Sequence, residues 1–193
     1  MTDPAIHLLA GPNGAGKTTL YDKVLRPATQ LPFVNADMIA ADRWPGHEER
    51  HGHDASVAAA ELRDTLIADR QSFITETVFS HPSKVELVTR LISSGYRVHL
   101  HVIIVPVHLA VARVTNRVDN GGHSVPADKV RDRYARLWPL VAEAIHLAQE
   151  ATVYDNSSST RPHRVVSRFI SGRPIGTIDW PRWAPPELVA LTT

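Results

Sequence analysis

Near the start of the chain, the stretch "GPNGAGKTT" has the residue types and spacing of a phosphate grip. Gly11, Gly16, Lys17 and Thr18 match G-x-x-x-x-G-K-[ST]. The glycines, with Gly14 between them, leave the backbone free to turn successive N–H groups onto phosphate oxygens. A helix opening at Gly16 adds roughly half a positive charge at its N-terminus. Lys17 is expected to reach the β- and γ-phosphates, and the Thr18 hydroxyl to ligate Mg²⁺. On this reading Gly11, Pro12, Asn13, Gly14, Ala15, Gly16, Lys17, Thr18 and Thr19 form one loop that binds ATP with Mg²⁺.

Phosphoryl transfer from such a loop also needs a carboxylate near the γ-phosphate to orient or deprotonate an acceptor hydroxyl. Asp37, in "VNAD", is the candidate general base; it also has the type of an N-cap for a helix beginning near Met38. Glu76, in "ITET", emerges at a strand end with Thr77 beside it. Two roles stand for Glu76, a partner of the Mg²⁺ shell or a ligand of substrate hydroxyls, and Thr77 joins it as a substrate-binding residue. The migrating phosphoryl group also calls for cations. Arg113 and Arg117 lie four residues apart on one helical face, and Lys129, Arg133 and Arg136 form a second basic stripe. The "DNGGHS" stretch between them, which contains His123, is expected to let the helix pair close as a lid over about 107–138 and exclude water. Arg117 is the arginine placed beside the transferred phosphate.

Two other chemistries are weighed and set aside. "TNRVD" and "DNGG" imitate guanine-reading and switch motifs, but they share Asp119 and lie within one helix and its exit. His47, His51 and His53 meet no metal-ligand spacing and read as a polar loop. His99 and His101 share one strand face and read as sheet residues meeting a covering helix.

Apolar runs and helical periodicity alternate along the chain. The expected elements are strands at Ala5 to Ala10, Phe33 to Asn35, up to Glu76, through "RVHLHVIIVP", and at "ATVYDNS". Helices are expected from Gly16 to about Arg26, stopped by Pro27, and from Ser56 to Asp69 with Ala58, Leu62, Thr65 and Leu66 inward. Others follow at Ser83 to Ser94, at Val107 to Val118, and after Pro126, the last kinked or divided at Pro139. A late hairpin turns at Ser171 and Gly172, and the tail from Trp180 is expected to be irregular. The pattern specifies an α/β fold of the P-loop NTPase type: a central parallel sheet of about five strands flanked by helices, with a helical lid and a C-terminal β-hairpin. A single domain is expected over 1–193, the hairpin and tail occupying about 163–193.

Lysine plus arginine total 21 against 20 aspartate plus glutamate, which argues against a general nucleic-acid coat. Cysteine is absent, so neither disulfides nor thiolate metal sites are available. The short apolar run before the glycines is not a signal peptide or a membrane span, and a cytoplasmic protein is expected.

Taken together, "GPNGAGKTT", "VNAD", "ITET", "GYRVHLHVIIVP", "ARVTNRV", "GGHSVP" and "VYDNS" make the chain resemble the zeta toxin family of P-loop kinases from about Ile6 to Ser157. The resemblance implies ATP- and Mg²⁺-dependent phosphorylation of a hydroxyl of a small molecule, UDP-N-acetylglucosamine in the toxins, and a possible antitoxin as protein partner. It implies Asp37 as general base, Glu76 as substrate-site acid and Arg117 as lid arginine. His123 stands where longer toxins carry a second lid arginine. Two further readings stay open, a nucleotide-gated protein-binding module and an antibiotic-modifying phosphotransferase.

Overall fold

In the computed structural model, which describes residues 3–119 and 126–193 and, within them, all side chains but those of 117–119, the first apolar run forms β1 (Ala5–Ala10). Leu8, Leu9 and Ala10 have no exposed surface, because β1 lies inside a sheet covered on both faces there. The chain then winds through α1 (Lys17–Leu20), a π-helical turn (Tyr21–Leu25) and α2 (Arg26–Thr29) as one continuous helical run. Pro27 does not stop it, contrary to expectation. The wider turn just before the proline is where a helix commonly rearranges its bonds around a missing N–H. The run ends instead at Gln30, in left-handed geometry.

The remaining elements are β2 (Phe33–Val34), α3 (Ala36–Arg43), α4 (Gly52–Ala68), β3 (Phe73–Thr77), α5 (Ser83–Ser93), β4 (Arg97–Ile104), α6 (Val107–Asp119), α7 (Ala127–Leu147), β5 (Glu150–Asp155), β6 (Arg164–Ile170), β7 (Arg173–Ile175) and α8 (Pro186–Val189). One seven-stranded sheet results, in the order β2-β3-β1-β4-β5-β6-β7. The expected five strands are its parallel part; β5 pairs β6 and β6 pairs β7 antiparallel, so the hairpin extends the same sheet. β4 lies at the centre of the order, as its apolar length predicts.

Three further expectations are corrected. Leu62, 42% exposed, and Thr65, also exposed, do not face inward; α4 buries Ala58 and Leu66 as expected, with Ala55 and Ala59 in place of the other two. Pro139 does not divide α7, because it sits on an exposed turn where the carbonyl it leaves unpaired can meet water. The tail is not wholly irregular: Leu188 of α8 is fully buried in the core.

Helices cover the sheet unevenly. On one face Leu100, Trp138, Val141 and Phe169 form the larger core, and on the other Leu9, Leu20, Ile103 and Val130 form a smaller one. Where the smaller core ends, three histidines and a tyrosine lie side by side across β1, β4 and β5. His7 Nδ1 is 3.0 Å from His101 Nε2, His101 Nδ1 is 3.2 Å from the Tyr154 hydroxyl, and the His7 and His99 rings stack at 4.9 Å. Neutral imidazoles suit this chain, since each then has one donor and one acceptor. Burial, helped by the neighbouring histidines, pushes His7 down to about 4 and His101 to about 3.

The unfolded chain therefore binds more protons than the folded one once the pH drops below the ordinary histidine value, and stability falls as the pH descends from 6.5 towards about 4 and about 3. Thermal unfolding followed from neutral to mildly acid pH is expected to show a falling Tm, with a shallower slope in His7→Gln/His101→Gln. Equal slopes in the two proteins would refute this assignment.

Candidate functional site

Parallel strands align their carboxyl ends, so the register decides which side chains meet at the rim. Leu9 pairs with Glu76 and Ala10 with Thr77, which sets the end of β3 beside the exit of β1 into the glycine loop. On the other side Ile104 pairs with Asp155, bringing the end of β5 to the same rim. Asn156 follows directly, only 8% exposed.

The loop 11–16 is braced from behind. Asn156 Nδ2 donates to Ala15 O at 2.8 Å, and Asn156 Oδ1 accepts from His163 N at 3.3 Å. His163 Nε2 lies 3.1 Å from Gly16 O, and burial holds its ring below the usual histidine value although the Gly16 contact works the other way. Arg113 Nη2 donates to Asn156 O at 2.9 Å and Nη1 to Gly14 O at 3.4 Å. Gly16 has φ +90°, and a Cβ there would stand 2.4 Å from Asn156 Nδ2, so glycine is required for two separate reasons. Asp155 in turn accepts from Arg164 Nη2 at 3.1 Å and from Ser157 N at 2.8 Å, and Arg164 also pairs with Asp179. The antiparallel extension thereby fixes the brace.

In front of the loop, one carboxylate gathers three segments. Glu76 Oε2 accepts from Thr18 Oγ1 at 3.0 Å and from Asn35 Nδ2 at 3.1 Å, while Glu76 Oε1 is 3.8 Å from Lys17 Nζ. Lys17 Nζ also donates to Gly11 O and Pro12 O, each at 3.0 Å, and the residue is 6% exposed. Asn35 also acts through its other amide atom, since Oδ1 accepts from Met38 N at 3.1 Å and caps α3. The cap is thus Asn35, and the alternative role weighed for Asp37 as N-cap is corrected; Asp37 lies in the first turn of α3, exposed to the cleft. That position lets the positive end of the helix dipole act on its carboxylate.

A cleft of about 860 Å³ opens between these groups. Lys17, Thr18, Thr19, Asp37, Glu76, Thr77 and Arg113 all line it, together with Arg63 of α4, Lys84 of α5 and Arg133 of α7. Of the loop residues, Asn13, Gly14 and Gly16 also face this space. Gly11, Pro12 and Ala15 serve it through their carbonyls. Thr77 Oγ1 is engaged by Phe79 N at 3.3 Å, and the buried Phe79 has φ 67°, a costly geometry for an aromatic residue just past the site. Arg113 sits in the brace, and not as a free lid cation. The side chain of Arg117 and the whole of His123 lie outside the described residues.

Sequence reasoning passed over Asn35 and the bracing role of Asn156, whose segment 155–157 it offers to the adenine instead, and passed over His163, Arg63 and Lys84. The first two stood in view, inside "VNAD" and "VYDN", as amides following buried strands; a short polar side chain there has only rim groups to bond. Nothing local marks His163 or Arg63, whose positions depend on long-range packing.

The donor set fits Mg²⁺. Thr18 and Glu76 present hydroxyl and carboxylate oxygens 3.0 Å apart, the hard donors this ion prefers. Among the described residues no cluster of three histidines or acids is arranged to enclose a metal. Mg²⁺ commonly takes few protein ligands and completes its shell from phosphates and water. His51 pairs with Asp54 at 2.8 Å and stacks on Trp44. No helix among the described residues is long and apolar enough to cross a membrane.

Residues 2–165 match the family described as Zeta toxin. A Haemophilus influenzae protein of unassigned role is 32% identical over 125 residues, 64% of this chain and 88% of its own length. Among solved structures, the AvrRxo1-ORF1:-ORF2 complex with ATP superposes with a TM-score of 0.69 at 15% identity, over 90% of this chain and 60% of that one. The PezAT toxin-antitoxin system of Streptococcus pneumoniae superposes with a TM-score of 0.61 at 15% identity, over 87% of this chain and 72% of that one. At such identities the structural likeness is one of fold.

Replacing Asn156 by alanine leaves the buried Ala15 carbonyl without its donor, a loss of about 1–3 kcal/mol in stability. The expected result of Asn156→Ala is a Tm lower by several degrees and ATP bound about tenfold more weakly, read by thermal denaturation and titration calorimetry. Unchanged ATP affinity would mean that the loop holds its shape without this brace.

Proposed function

The chain belongs to the zeta toxin family, and from that premise we propose that it is an ATP-dependent phosphotransferase acting on a hydroxyl of a small molecule. The observation that carries the reading is the single cleft lined by both Lys17 and Asp37, with Glu76 bound to Thr18 between the strand ends. A glycine loop alone binds nucleotide; a carboxylate in the same water-accessible cleft supplies what transfer requires.

Residues 11–19 hold the triphosphate through backbone N–H groups, and Lys17 exchanges its bonds with Gly11 O and Pro12 O for phosphate oxygens. Thr18, with Glu76 behind it, would hold Mg²⁺, which when bound would supply charge neutralisation across the phosphates. Asp37 accepts the proton of the acceptor hydroxyl. The acceptor oxygen forms its bond to the γ-phosphorus as the bond from that phosphorus to the β–γ bridging oxygen breaks, and ADP leaves with the bonding pair. Glu76 and Thr77 border the acceptor, and α6 with the N-terminal half of α7 forms the lid, Arg117 and His123 completing it over the migrating group. We read the chain as one kinase domain of the cytoplasm. UDP-N-acetylglucosamine is the leading acceptor, on the family's chemistry.

A protein partner is also supported: AvrRxo1-ORF1 and the PezAT toxin were each solved within complexes, the latter a toxin-antitoxin system. An antitoxin that covers this cleft would silence the kinase by the same contacts.

ADP release measured over a panel of sugar nucleotides is expected to be acceptor-dependent. Asp37→Asn should lower kcat by about 10²–10⁴ with ATP affinity within a few-fold of wild type, whereas Lys17→Ala should lose ATP binding as well. Tight nucleotide binding with no acceptor-stimulated ADP from any compound would overturn the proposal.

A further inference from the structure

One wall of the cleft is positively charged for no reason that the phosphate loop explains. Arg63 follows Ala55 and Ala59 down the inward face of α4, where the helical pattern otherwise places small apolar residues. Its Nε is buried with no hydrogen-bond partner among the described residues. A guanidinium has five donors in a fixed fork, so a buried and unanswered N–H is an expensive feature to keep. The adjacent Asp64 does not answer it, because that carboxylate is held by Arg90 at 2.7 Å.

Lys84 lines the same cleft from the first turn of α5, next to the positive end of that helix. Burial lowers its ammonium below the usual lysine value, and the Arg63 charge lowers it further. Two cations that repel one another therefore share a partly dry wall. Glu86, the acid in the same first turn, is exposed and does not line the cleft. Among the described residues, no ion pair within 4.0 Å uses Arg63 or Lys84. The acids that do line the cleft include Asp37 and Glu76, which belong to the transfer end, and Glu48 and Glu49.

We infer that Arg63 and Lys84 form an anion subsite that receives a carboxylate or phosphate group carried by the acceptor alcohol. The inference rests on the reading of this cleft as the acceptor site and names the acceptor's class: a hydroxyl compound with a negative group at a distance from the reacting oxygen. The subsite lies on α4 and α5, which carry none of the phosphate-loop groups, so it discriminates acceptors independently of how ATP is held. An uncharged alcohol would leave both cations unsatisfied, and that penalty is a means of rejecting water and neutral sugars.

The test uses the full chain saturated with a non-hydrolysable ATP analogue and Mg²⁺, so that the phosphate loop is filled. Inorganic phosphate and malonate are then titrated separately by calorimetry. Saturable binding of one or both is expected, phosphate alone marking a phosphoryl-bearing acceptor and malonate alone a carboxylate-bearing one. Arg63→Gln/Lys84→Gln should weaken that binding at least tenfold, with analogue affinity serving as the check on folding. Lys84→Met alone replaces the double variant if the latter does not fold, and should weaken the same probe several-fold. Neither probe binding, or binding equal in wild type and variant, overturns the subsite. Failure of the kinase reading looks different: the titration still reports the subsite, while no acceptor releases ADP.

Discussion

A carboxylate at 14% side-chain exposure must find partners for its oxygens, and Glu76 finds them on two other segments of the chain. Through Thr18 it is tied to the start of α1, through Asn35 to the start of α3, and by charge to Lys17. These contacts cross 58 and 41 residues of sequence, so the carboxyl ends of β1, β2 and β3 are coupled at a single oxygen, Glu76 Oε2. The arrangement is stable because each partner brings a positive or donor group, including the positive ends of two helices. Lys17, Thr18 and Asn35 are thus all placed against the one carboxylate.

Behind the loop the logic is reversed: carbonyls, not carboxylates, are what need partners. Asn156, Arg113 and His163 supply donors to the back of 14–16, leaving the forward-facing N–H groups for a ligand. Asp155 and Arg164 carry this support out to β6, which gives the antiparallel part of the sheet a function beyond lengthening it. The cleft between the two sets of contacts is polarised, with Asp37 and Glu76 at the transfer end and Arg63 with Lys84 on the wall of α4 and α5.

How much of this could be read in the sequence depended on the range of the interaction. The glycine loop, the buried strands β1 and β4 and the turn at Ser171 and Gly172 follow from local rules of backbone freedom and periodicity, and the structure has them. The rim position of Asp37 and Glu76 followed from one topological rule, that parallel strands present ligands at their carboxyl ends. What failed was decided by surroundings. Pro27 and Pro139 look like breaks until a π turn or an exposed face accommodates them. Leu62 matches an apolar stripe until the cleft claims the neighbouring face for Ala55, Ala59 and Arg63. The antiparallel attachment of β6 had no local sign, since pairing partners separated by a loop are chosen by the sheet.

The helix α7 spans both cores. Leu137, Trp138, Val141 and Ile145 are packed in the larger one, whereas Val130 belongs to the smaller core with Val114 of α6, and the Tyr134 hydroxyl is bonded to Val105 O at 2.9 Å. Twenty-one residues of helix make a rod of about 30 Å. Mechanically it is a beam gripped in two places, at Val130 and Tyr134 on one side and around Trp138 on the other, with Arg133 set within the first grip. A rod held twice swings little, so the cation it carries keeps a fixed bearing on the cleft.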